Sequence, residues 1–147
     1  MKKFVAYISI LMIIFTALSC TNKNATADTD VEYLDSLSLS LQAIAVNITN
    51  LNDFIKTSNF DDETWISDFK TKIAEVSSSI NKTTNISFPE DKQELKKSYD
   101  TIILNLNNGL DNFNLSCQTK NIDDFNSGVK FINTSIEDIK ALDDKIN

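Results

Sequence analysis

Residues 34–55 read LDSLSLSLQAIAVNITNLNDFI, and the spacing of their apolar positions decides the fold. Leu34, Leu37, Leu41, Ile44, Ile48, Leu51 and Ile55 recur at alternating steps of three and four. That period places all of them on one stripe of an amphipathic α-helix. Leu39 and Val46 fall off the stripe, so the apolar surface is wider than a single seam needs. The usual width of a buried helical face assigns the excess to the core in preference to an interface.

The same period returns three times further along the chain. Trp65, Phe69, Ile73, Val76 and Ile80 follow Asp61, Asp62 and Glu63, acidic residues suited to a helix N-terminus, and predict a helix over about 61–82. Residues 82–88 (KTTNISF) read as a loop ending at Pro89, which suits the first turn of the next helix because its missing N–H would be unpaired there. Leu95, Tyr99, Ile102, Leu106, Leu110, Phe113 and Cys117 then form a third stripe. Gly109 interrupts it at a cost of about 1 kcal/mol relative to Ala, and the missing side chain allows a close helix crossing. After a break at 118–120, Asn121 reads as an N-cap, and Phe125, Val129, Ile132, Ile136, Ile139 and Ile146 form the last stripe.

Two Gly and one Pro in 147 residues leave too few turn formers for a sandwich or barrel. Helices joined by short loops return along their neighbours, so the expected architecture is all-α, an up-down-up-down four-helix bundle over residues 31–147. A three-helix arrangement with the first helix free to pair with another chain is the alternative.

Ahead of the bundle, Lys2 and Lys3 precede an uncharged apolar run from Phe4 to Leu18, then Ser19 and Cys20. A charged start, an apolar run too short for a membrane span and a small residue at its end are the layout of a secretory signal. Residues 21–30 (TNKNATADTD) hold no aliphatic side chain larger than Ala and read as a flexible tether. The segment Ala17-Leu18-Ser19-Cys20 resembles the lipobox of bacterial lipoproteins, with Ala17 where Leu is commonest. The resemblance implies residues 1–19 as signal peptide, cleavage between Ser19 and Cys20, and a diacylglyceryl group on the Cys20 thiol. Two or three acyl chains would hold the product stably on a cell or outer membrane, on its extracytoplasmic side. The chain's formal charge of −7 becomes two units more negative when Lys2 and Lys3 leave. Such a charge repels nucleic acid and anionic lipid, so the lipid and not a basic patch would hold the protein at the membrane.

The composition removes several chemistries. All 14 basic residues are Lys, with no His and no Arg. The commonest metal ligand, the usual base for a cysteine nucleophile and the bidentate anion fork are therefore missing. Met1 and Met12 would leave with the signal, so no haem ligand pair is available, and the Glu-x-x-His pairs of di-metal bundles cannot be assembled. No catalytic, metal or cofactor site is assigned. Cys117 lies on an apolar stripe and reads as a small buried hydrophobe. The acidic runs at 61–63, 123–124 and 143–144 lack the spacing of a calcium loop and read as solvated helix ends. Trp65, Phe69, Tyr99, Phe113, Phe125 and Phe131 read as core in preference to a pocket lining. What remains is a non-catalytic binding or adaptor module whose partner is another envelope or surface protein. A carrier or sensor of a small apolar ligand held in the bundle core is the alternative.

Overall fold

A computed structural model describes residues 28–83 and 86–146. Ser19, Cys20 and the rest of the signal and lipobox assignment lie outside the described residues, as does the tether up to residue 27. Four helices follow in order: α1 (Asp28–Ile55), α2 (Glu63–Thr83), α3 (Gln93–Thr119) and α4 (Ile122–Ile146), with a single 3₁₀ turn, Glu90–Lys92, leading into α3. α1 begins at Asp28, three residues inside the stretch read as tether.

The helices form a ring in which each packs against its two chain or end neighbours: α1 on α2 and α4, and α3 on α2 and α4. No diagonal pair touches among the described residues, the up-down-up-down arrangement expected of short connections. The alternative with a free first helix is thereby overturned: Leu37, Leu41, Ile44, Ile48 and Leu51 of α1 are completely buried in the common core. The stripes on α2 and α3 meet them there, including Phe69, Val76, Ile102, Leu106 and Phe113.

Side chains close the helix ends. The Asp62 carboxylate accepts from the backbone N–H of Thr64 (2.8 Å) and Trp65 (3.3 Å), satisfying two of the donors left open at the start of α2. The Asn121 side-chain oxygen accepts from the Asp123 N–H at 2.8 Å, the N-cap expected for α4. α3 continues through Gln118 and Thr119, so the break is only Lys120 and Asn121. Lys120 takes a left-handed conformation (φ 55°) and donates its N–H to the Ser116 carbonyl at 2.8 Å. Pro89 stands before the 3₁₀ turn and not in the first turn of α3. Its ψ of 155° is extended, and its carbonyl accepts from the Lys92 N–H at 3.0 Å.

The α4 stripe differs from the sequence reading. The fully enclosed line is Phe125, Gly128, Ile132, Ser135, Ile139 and Leu142, while Val129, Ile136 and Ile146 flank it half-buried. Small residues carry the close contact with α3. An ideal Cβ on Gly109 would stand 3.1 Å from the Ile132 side chain, and one on Gly128 would stand 2.5 Å from the Phe113 ring and 3.0 Å from the Gly109 carbonyl oxygen. Gly109 thus allows the close crossing its position suggested, and Gly128 completes it from the other side.

Candidate binding surface

At the end of the bundle where α1 and α3 finish and α2 and α4 begin, aromatic rings fill the interior. Trp65 stacks on Phe54 (ring centroids 5.4 Å apart) and lies 4.8 Å from Phe69, Phe60 meets Phe125 edge-on at 5.3 Å, and Phe69 meets Phe113 at 5.1 Å. These are the offset and edge-to-face separations that aromatic quadrupoles favour. Tyr99 belongs to the opposite end, beside Phe88 (5.6 Å), and Phe131 is only half-buried. The six aromatics weighed as a pocket lining are therefore not gathered round one space. Phe54 and Phe60 were missed. Phe60 carries a signal in hindsight, as the one large apolar residue in an otherwise polar connection.

Tyr99 donates its hydroxyl to the Thr83 carbonyl at 2.8 Å, occupying an acceptor at the end of α2. Burial raises its pKa, and the Asp100 carboxylate adds to the rise. Cys117 is 7% exposed, and burial pushes its thiol up, with the charge of Lys70 pulling the other way. A thiol held in its neutral form is a core side chain, as the stripe implied.

The acidic runs sit at helix ends, where Asp62 is engaged as a cap. Among the described residues no group of three Asp, Glu or Cys stands close enough together to hold a metal ion, and no helix is long and apolar enough to cross a membrane.

The outer face of α1 is where the sequence reading needs correction. Leu39 is 65% and Val46 56% exposed. They were expected in the core, but each lies two residues beyond a fully buried one, Leu37 and Ile44, and two residues turn a helix by about 200°. The seam is already filled, so both point outward. Between Ser36 and Asn52 α1 has no charged residue, in a chain that is 24% charged. The other exposed leucines, Leu104 and Leu115 on α3, each follow an aspartate by four residues, Asp100 and Asp111, and so share their face with a charge.

Beside the Leu39–Val46 ridge runs a shallow groove of about 500 Å³ between α1 and α2, lined by Ala43, Asn47, Thr71, Ala74, Glu75, Ser78, Ser79, Lys82 and Thr83. Most of its polar donors are spent on their own helices. Asn47 donates to the Ala43 carbonyl (3.1 Å), Thr71 to Ser67 (3.1 Å), Ser79 to Val76 (2.8 Å) and Thr83 to Ile80 (2.8 Å). Glu75 is held by Lys72 at 2.8 Å. The groove therefore offers shape and small side chains more than directed hydrogen bonds. Comparison with protein-family models, with curated proteins and with solved structures finds no match to this chain.

Proposed function

We propose that the chain is a membrane-anchored extracytoplasmic lipoprotein whose helical bundle acts as a non-catalytic binding or adaptor module of the cell envelope. The observation that carries the reading is where space is left for a partner. The interior among the described residues is taken up by the protein's own side chains, many of them essentially inaccessible, whereas the α1–α2 and α3–α4 grooves are open and lie on the outer surface. A ligand carried in the bundle core would need a cavity of a few hundred Å³ enclosed by the helices. Recognition by outer faces needs none. Anchoring rests on the lipobox resemblance at Cys20.

Two measurements test this. Replacing Cys20 by Ala should abolish lipid labelling and leave an uncleaved precursor; normal acylation and cleavage of the variant would remove the anchor from the reading. A photo-crosslinking residue placed in turn at Val46, Leu104 and Ile122, all exposed, should trap a distinct envelope protein from at least one position in intact cells. A chain that traps no other protein and instead purifies with a stoichiometric apolar compound would favour the carrier.

A further inference from the structure

The ridge and the groove on α1 lie side by side and at the same height along the bundle. Ala43 lines the groove and is also the helical neighbour of both ridge residues, four after Leu39 and three before Val46. We infer that this face pairs with the same face of a second copy of the chain, the ridge of each copy seated in the groove of the other about a two-fold axis parallel to α1.

Three observations point to a second copy. The ridge is apolar, and the groove beside it is lined mostly by small residues with most of their donors already occupied, its two charged residues being Glu75, held by Lys72, and Lys82, so the ridge of one copy finds in it a shape to fill. Two copies of a chain with net charge −7 repel each other across most faces, and the run from Ser36 to Asn52 carries no charge to oppose the approach. A two-fold interface must also be self-complementary, which an adjacent ridge and groove satisfy.

The direction of the axis follows from the same geometry. A two-fold axis along the helices exchanges left and right across the interface and carries each ridge onto the partner's groove. An axis across the helices would leave ridge facing ridge. The parallel arrangement keeps both N-termini at one end of the pair, as two chains anchored in one membrane require.

Ser36, Ala43 and Asn50 are exposed, seven residues apart, and follow the border between ridge and groove, so each should meet its own copy close to the axis. The test uses the full chain in its membrane, with Ser36→Cys, Ala43→Cys or Asn50→Cys introduced singly and a mild oxidant added. All three variants should give a disulfide-linked species of twice the chain's mass, while Leu104→Cys on α3 should not. Linkage at Ala43 alone would mean an antiparallel pair and overturn the axis; linkage at none, or equally at Leu104, would overturn the pairing. In detergent solution the unmodified chain should sediment as a dimer. Val46→Ser, which removes the apolar knob from the ridge of both copies, should raise the dissociation constant at least about tenfold. Ala74→Trp, which fills the groove, should do the same, and both variants should keep a helical spectrum because the altered positions are exposed. A monomeric unmodified chain, or a dimer indifferent to both changes, would overturn the inference. The common direction of the N-termini rests on the anchor proposed at Cys20, but the pairing does not rest on the adaptor reading: capture of another protein by a monomer would sustain that reading alone, and a dimer that captures nothing would sustain this one alone.

Discussion

Gly128 of α4 lies directly over the ring of Phe113 of α3, so close that a methyl group on the glycine would stand 2.5 Å from a ring carbon. Phe113 has no exposed surface and is wedged between Phe69 (5.1 Å) and Phe125 (5.5 Å), which leaves its ring nowhere to go. Gly128→Ala should therefore destabilise the bundle by up to about 2 kcal/mol, an overpacking cost of about 1–3 kcal/mol less the roughly 1 kcal/mol gained from helix propensity. Gly109→Ala meets nothing nearer than the Ile132 side chain and the Phe131 Cβ, at 3.1–3.3 Å, and should stay within about 1 kcal/mol of the parent. Denaturant midpoints of the two variants, with equal slopes, check the contrast.

Two buried tyrosines should respond oppositely to loss of the hydroxyl. Tyr99→Phe removes the bond to the Thr83 carbonyl and should cost about 1 kcal/mol. The Tyr33 hydroxyl is buried and has no partner among the described residues, so Tyr33→Phe should be neutral or stabilising by up to about 1 kcal/mol. Thermal unfolding of the pair decides it, and equal losses would show that the Tyr33 hydroxyl has an acceptor.

Cys117 should react slowly with a thiol reagent in the folded protein and quickly in denaturant, because burial disfavours its thiolate. The raised pKa also has a sign in stability. Above the ordinary thiol value the unfolded chain releases a proton that the folded chain retains, so stability is fully present below about pH 9 and declines as the pH rises beyond it. Tyr99 and Tyr33, also raised by burial, extend the decline above about pH 10. Cys117→Ala should cost of the order of 1 kcal/mol at neutral pH and make the first part of the alkaline decline shallower. An unchanged pH profile would place the thiol in water.

Lys120 occupies the left-handed position that closes α3, where a side chain costs about 1 kcal/mol relative to glycine. Lys120→Gly should therefore raise stability by up to about 1 kcal/mol, read as a higher unfolding temperature. It should leave the Asn121 cap on α4 in place.

The four stripes were legible because apolar side chains at the helical period have one face to bury, and the number and order of helices followed from short polar connections. What the period missed were positions whose role is to be small. Gly128, Ser116 and Ser135 are buried, yet they contribute no hydrophobicity for a periodic reading to register. The two serines bond their own helices, Ser116 to the Phe113 carbonyl at 2.7 Å and Ser135 to the Phe131 carbonyl at 2.9 Å, and so enter the core without an open donor. Leu39 and Val46 failed in the opposite way: a hydrophobic residue tells what it would bury, and only the helix angle tells whether anything is there to bury it against. The ridge was in the sequence, but the groove beside it is contributed by two helices and becomes visible only once they are packed.

The chain has a single tryptophan, and its indole packs on Phe54, Phe60 and Phe69 of its own hairpin, the last two of which touch the second hairpin. Trp65 is stacked on Phe54 of the first hairpin, while Phe60, between α1 and α2, reaches across to Phe125 of the second. Its fluorescence thus senses hairpin docking through Phe60 and Phe69, distinct from the far-ultraviolet signal that follows helix formation in either hairpin alone. A variant in which the hairpins form but do not dock would keep its circular dichroism and shift its emission to the red.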